Sequence, residues 1–226
     1  MRYNNKLQEF FASLKRVGVK NSLLLVVSRF YDIWFDYKYK LDTVKRLELD
    51  ELDIDAETID QGQMYQPSGV LPFRAMLTKL NITDEDVFVD YGSGKGRTLI
   101  IAAMEKFKRV VGIEFSQELV DFAEQNINSL QDRNVELSEI QNICCDASQY
   151  EFKDDETVFY FFFPFDDDLM QKVLDSITAS VERKPRNIRV VYYYPVHASV
   201  IESSPNFKLL QSMNAYGYDC LIFSAA

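Results

Sequence analysis

The densest chemical signal in the 226-residue chain is the run Val89-Asp90-Tyr91-Gly92-Ser93-Gly94-Lys95-Gly96-Arg97. Glycine at 92 lets the chain turn sharply off a strand. Glycines at 94 and 96 remove the side chains that would keep a ligand away from the backbone and from a following helix. The order is G-x-G-x-G. A dinucleotide fingerprint needs its third glycine at 97, where Arg97 stands, and the G-x-x-x-x-G-K-[ST] of a phosphate-cradling loop is missing. An NAD-linked oxidoreductase is therefore disfavoured. Lys95 and Arg97 read as solvated residues on the first turn of the helix.

Other reactive side chains are few. His197, the only histidine, follows Tyr192-Tyr193-Tyr194-Pro195 and is a candidate general base. Asp166, Asp167 and Asp168 follow the aromatic run Phe161-Phe162-Phe163-Pro164-Phe165. They read as helix capping and solvated charge, with Asp166 the candidate base among them. One histidine so placed supports no Ser-His-Asp or Cys-His set, which disfavours hydrolytic nucleophile chemistry. Cys144, Cys145 and Cys220 are odd in number and two are neighbours, fitting neither a disulfide framework nor a zinc site. They suit a reducing, cytoplasmic setting.

These residues need strand ends to hold them, and the patterning supplies them. Strands are expected at 86–90, 109–115, 139–145, 157–163, 188–194, 207–214 and 218–224. Helices are expected at 72–80, from the glycine turn through 107, at 117–130 capped by Ser116, and at 169–182 capped by Asp168. Strand–helix alternation predicts an α/β fold, a doubly wound, mostly parallel seven-stranded sheet. Only Ala215–Gly217 separates the last two strands, too little for a helical crossover, so an antiparallel edge hairpin is expected. Upstream, 5–17 and 21–40 read as two helices, the second too apolar all round to stand uncovered. The main domain, a second subunit or a membrane surface would cover it. Residues 1–46 thus form an N-terminal helical extension, lid or dimer arm. Residues 47–70 form an acidic connector, and 71–226 the catalytic domain.

The D-Y-G-S-G-K-G turn resembles motif I of the class I S-adenosylmethionine-dependent methyltransferases. The resemblance spans about residues 65–226 and has further matches in order. It implies a Rossmann-like fold and S-adenosylmethionine as cofactor. Glu114, in Gly112-Ile113-Glu114-Phe115, matches the family's ribose ligand. Asp146, in Cys145-Asp146-Ala147, matches the residue facing the adenine amine. Phe163 and Pro164 fall at the fourth-strand motif beside the transferable methyl group. Tyr65-Gln66-Pro67 is similar to a Tyr-x-Pro segment that precedes motif I in a bacterial group of such enzymes. The implied cofactor-binding set is Tyr65, Asp90, Tyr91, Gly92, Gly94, Gly96, Glu114, Phe115, Cys145, Asp146 and Ala147. The implied catalytic set is Phe163, Pro164, Asp166 and His197. The residue types suit these roles, since Glu114 can accept from two vicinal hydroxyls and Asp146 from an exocyclic amine. Aromatic faces at Tyr65, Tyr91 or Phe163 would stabilise a sulfonium, although Tyr91 reads equally well as packing. Several amino-group methyltransferases carry Asn or Asp where Phe163 stands, so an aromatic or carbon-rich small-molecule acceptor is favoured over a protein lysine. No metal is expected, because the separated oxygen ligands of a magnesium-assisted enzyme are missing.

Charge narrows the partners. The net charge is −10, but residues 1–46 carry +6 and residues 47–226 carry −16. An acidic body repels phosphate backbones, which makes nucleic acid a poor partner. No apolar run reaches the roughly 20 residues of a membrane span, and the Leu23–Val27 run is too short and too far in for a signal peptide. Three readings remain: a methyltransferase for a small molecule, a protein lysine methyltransferase, and a non-catalytic cofactor-binding regulatory module. For residues 20–40 a lid, a homodimer and a membrane contact are equally open.

Overall fold

Alternating apolar strands and amphipathic helices leave the chain one economical arrangement, a sheet with helices on both faces. The computed structural model describes residues 2–45, 66–162 and 166–225, with residues 2–20 described as backbone only. It contains α1 (Arg2–Tyr39), α2 (Val70–Leu77), β1 (Val87–Tyr91), α3 (Arg97–Ala103), β2 (Arg109–Glu114) and α4 (Gln117–Gln131). After these come β3 (Glu139–Cys144), a 3-10 turn at Ala147–Gln149, β4 (Val158–Phe162), α5 (Asp167–Arg183) and β5 (Ile188–Tyr193). Last are α6 (Ala198–Glu202), β6 (Lys208–Ala215) and β7 (Tyr218–Ala225).

The seven strands lie in the order β3-β2-β1-β4-β5-β7-β6. β1 to β5 are parallel neighbours, and β7 runs antiparallel to both β5 and β6. The chain therefore leaves β1 in one direction and returns at β4 on its other side. That switch point is where open α/β sheets bind ligands, at the carboxyl ends of the strands. The doubly wound sheet and the antiparallel edge hairpin are those expected from the sequence.

Strand alternation divides the core in two. Val158 and Tyr160 of β4 pack with Phe73, Met76, Leu99, Ile100 and Ile127 on one face. Phe159 and Phe161 pack with Tyr91, Met170, Leu174 and Ile177 on the other. The same alternation separates Phe88 from Val89 and Tyr91 on β1, so Asp90 leaves the strand toward the face that carries α2 and α3.

Two expectations are corrected. The N-terminal segment is one helix, α1, rather than two; Gly18 sits inside it, since a single interior glycine costs only about 1 kcal/mol. α5 is capped by Asp166, whose Oδ1 accepts from Leu169 N at 2.9 Å, and Asp168 lies in its first turn. The apolar helix at 21–40 is covered on one side only: Asp32, Phe35 and Asp36 are buried, while Phe30, Trp34 and Tyr37 are exposed. Most of the connector at 47–70 lies outside the described residues. No helix among the described residues is long and apolar enough to cross a membrane.

Candidate active site

The turn after β1 is built as its glycines require. Gly92, Gly94 and Gly96 have φ of 78°, 54° and 77°, all in the left-handed region that other residues enter only with strain. The amides of Gly92 and Ser93 both donate to Ile113 O, at 2.9 and 3.2 Å, which folds the turn back onto the end of β2. Gly96 starts α3, and a Cβ there would lie 3.0 Å from the Ala123 Cβ of α4. A signal passed over in the sequence is Gly112. A Cβ there would meet Leu99 Cδ1 at 2.5 Å and Ser93 Oγ at 2.8 Å, so β2 has no room for a side chain beneath the turn.

Two carboxylates close the turn. Glu114, buried at the end of β2, accepts from Gly94 N through Oε2 at 2.9 Å and from Ser116 N through Oε1 at 3.1 Å. The Phe115 amide bonds to this carboxylate as well, so three backbone donors leave it capacity for about one more. Burial raises the Glu114 carboxyl above its ordinary range despite these amides. Asp90, also buried, accepts from the Thr98 hydroxyl. Burial first, and the nearby Glu114 charge after it, push its carboxyl up to about 7, against the lowering effect of Thr98. The turn thus holds two buried acids, both with carboxyls raised by desolvation.

The neighbouring cations are committed elsewhere. Lys95 and Arg97, expected in solvent, are buried. Arg97 Nε donates to Thr43 Oγ1 at 2.7 Å, and its Nη1 donates to Ser68 O at 3.1 Å. Its guanidinium lies 3.5 Å from Asp32 and 3.9 Å from Asp36, both on α1. Lys95 Nζ reaches Asp42 at 3.2 Å and stands 4.5 Å from the Phe122 ring centroid. Asn126 completes the tie, accepting from Asp42 N at 2.9 Å and donating to Lys95 O at 3.1 Å. The carboxylates are themselves fixed. Asp32 accepts from Val70 N at the start of α2, and Asp36 from Thr43 N, the Thr43 hydroxyl and Val44 N. A cation at a helix N-terminus opposes the helix dipole. Here it joins the glycine turn to the N-terminal arm.

The remaining candidates follow the ends of the other parallel strands. Phe115, Cys145, Asp146 and Ala147 follow β2 and β3 and are exposed or half-buried; Asp146 caps the 3-10 turn by accepting from Ser148 N at 2.7 Å. The Tyr91 ring lies in the core, stacked on Phe161 at 5.1 Å, so what position 91 presents at the strand end is backbone. Asp166 caps α5 beyond β4. His197, beyond β5, pairs through Nδ1 with Asp167, while its amide donates to Tyr192 Oη at 3.3 Å. A carboxylate on Nδ1 fixes ring orientation and tautomer. Nothing in the sequence pattern singled out Asp167 from its two neighbours for this pairing. Tyr65, Phe163 and Pro164 lie outside the described residues.

Comparison with known proteins agrees with this geometry. The family model for the histone methylation protein DOT1 matches residues 71–179. No curated protein matches the chain. Solved structures with a similar fold include a SAM-dependent methyltransferase from Aquifex aeolicus, at 15% identity and TM-score 0.52, covering 68% of this chain and 88% of its own. An RNA methyltransferase from Salinibacter ruber, in complex with S-adenosyl-L-homocysteine, is 21% identical with TM-score 0.53, covering 71% of this chain and 94% of its own. The pyocyanin biosynthetic protein PhzM is 15% identical with TM-score 0.54, covering 69% of this chain and 55% of its own. The sheet order and the glycine turn at the β1 switch point give the chain the fold of these S-adenosylmethionine-dependent methyltransferases, and the family match over residues 71–179 agrees with it.

Proposed function

We propose that the chain transfers a methyl group from S-adenosylmethionine to a small, aromatic or carbon-rich acceptor. Bound at the turn, the cofactor supplies a methyl group already activated on a sulfonium. The residues fit that group. Gly94 and Gly96 leave the backbone bare, and the remaining acceptor capacity of Glu114 suits a ribose hydroxyl. In this reading Asp146, with Phe115, Cys145 and Ala147, would accept from the adenine amine. Asp90 balances the cationic methionine end, and fixing Lys95 and Arg97 to the arm keeps their charges from a sulfonium. In-line displacement on such a donor needs alignment and exclusion of water more than a strong base. His197, oriented by Asp167, serves an acceptor that must lose a proton. Phe163 and Pro164 border the methyl group in this reading.

The observation that carries the acceptor class is the aromatic cluster at the carboxyl ends of β4 and β5. Phe162 stacks on Tyr193 at 5.1 Å, and Tyr218 meets Tyr193 at 5.8 Å and Tyr194 at 5.0 Å, both edge-on. Tyr194 is held at a φ of 52°, a conformation that costs a non-glycine residue about 1–3 kcal/mol and is found preferentially at functional sites. Tyr193 is a core side chain, so the half-buried rings of Phe162, Tyr194 and Tyr218 are those that would meet a planar or apolar acceptor. A second reading, a protein lysine acceptor, is favoured by the DOT1 match and by the acidic body, which suits a basic substrate. Transfer of labelled methyl from S-adenosylmethionine should be compared across aromatic small molecules, lysine-rich peptides and RNA. The proposal expects label in the first group. Label in lysine peptides alone would move the reading to the second acceptor, and cofactor binding with no transfer to any group would favour a regulatory module.

A further inference from the structure

Between residues 21 and 37 the face of α1 turned away from the body is mostly apolar. Of the eight exposed residues between 21 and 37, seven are Leu23, Val26, Val27, Phe30, Ile33, Trp34 and Tyr37, and the eighth is Arg29. Their spacing is that of a helix-pairing seam. Leu23, Phe30 and Tyr37 recur every seven residues, as do Val26 with Ile33 and Val27 with Trp34. The seam is about 21 Å long at 1.5 Å per residue. It is also presented rigidly, because Asp32, Phe35 and Asp36 on the opposite face are fixed in the body.

We infer that this face binds a second copy of the same chain in a two-fold helix pair centred on Phe30. Area, shape and charge each support that occupant. Phe30, Trp34 and Tyr37 are exposed by 69%, 46% and 84%. With the four aliphatic side chains, the seam leaves on the order of 700–800 Å² in water, close to what a stable interface takes from each partner. That exceeds the roughly 300–600 Å² of the largest apolar patch on a typical monomer. Antiparallel pairing about Phe30 sets the slim end, Leu23, Val26 and Val27, against the broad end of the second copy. An isologous contact of this kind is self-complementary and closes without leaving a free face. Interfacial membrane helices, by contrast, combine an apolar face with a basic one. Here only Arg29 and Lys38 are basic among the exposed residues between 21 and 38, and the +6 of the arm is outweighed by the −16 of the rest of the chain.

The test uses the full chain and its single tryptophan, Trp34, which sits in the seam. Sedimentation velocity from 1 to 100 μM should show a dimer, and Trp34 emission should shift to longer wavelength as dilution dissociates it. Phe30→Glu with Ile33→Glu should weaken association at least 100-fold, while far-ultraviolet circular dichroism and urea unfolding report an intact body. A wild-type chain that stays monomeric at 100 μM overturns the inference. So does a dimer that persists in the folded double variant. So does a monomeric wild type that sediments with phosphatidylglycerol vesicles through the same two residues, which would assign the face to lipid.

Discussion

Replacing Arg97 by methionine removes a buried guanidinium and leaves its carboxylates in place. Arg97 makes hydrogen bonds of 2.7 and 3.1 Å to Thr43 and Ser68, and stands 3.5 Å from Asp32 and 3.9 Å from Asp36. Burial already raises the Asp32 carboxyl, with the Arg97 charge acting against it. Without Arg97 two buried acids lose their counter-charge, and breaking a buried pair from one side costs about 3–5 kcal/mol. That is a large part of a typical total of 5–15 kcal/mol. Neutralising the acids as well should return some of it, because the penalty resides in the uncompensated charge rather than in the missing bond. Urea unfolding should therefore be followed by Trp34 fluorescence, which reports the arm, and by circular dichroism, which reports the body. Arg97→Met should lower both midpoints, the Trp34 transition coming first. Adding Asp32→Asn and Asp36→Asn should restore at least about 1 kcal/mol, as coupled neighbours do. An Arg97→Met midpoint within about 0.5 kcal/mol of wild type, the range of an ordinary surface substitution, would refute the role of Arg97 and the two α1 carboxylates as a latch between turn and arm.

Three further outcomes follow from the site. Asp90 titrates near 7 in the folded chain, above its ordinary value, so its contribution to stability is full below about pH 4 and is lost as pH rises through 7. That loss is on the order of 4 kcal/mol; Asp90→Asn should lack the slope, and parallel urea-stability curves for the two proteins between pH 4 and 8 would refute it. A cation bound beside Asp90 should also release a proton near pH 6–7, measurable as a buffer-dependent binding enthalpy. Gly96→Ala must hold φ at 77° with its Cβ 3.0 Å from Ala123, so a stability loss of about 1–3 kcal/mol is expected, read as a lower urea midpoint. His197→Gln should lower turnover by roughly 10²–10⁴-fold on an acceptor that must lose a proton, with cofactor affinity unchanged; equal turnover would remove the base role.

The sheet and its turn were readable because they rest on local rules. Strand periodicity, three glycines at left-handed positions and Ser116 ahead of an amphipathic run all act within a few residues. The latch could not be read that way. Arg97 and Asp32 are 65 positions apart, and a charge on a first helical turn looks the same whether it meets water or a buried carboxylate. His197 and Asp167 pair over 30 positions for the same reason. The cap of α5 was ambiguous because three consecutive aspartates offer equivalent oxygens and only the backbone path decides among them. The two helices expected at the N-terminus became one because Gly18 weakens a helix without stopping it. Tyr91 shows the limit of composition, since an aromatic residue beside a glycine turn faces ligand or core according to strand parity, and here parity sends it into the core.

Calorimetric titration of the folded chain with S-adenosylhomocysteine, with NAD as control, tests the central claim most directly. Selective binding is predicted, weakened in Glu114→Ala by about 1–3 kcal/mol, the worth of a hydrogen-bonded charge. A folded chain that binds neither compound, or binds S-adenosylhomocysteine equally well without Glu114, would contradict the account of this site.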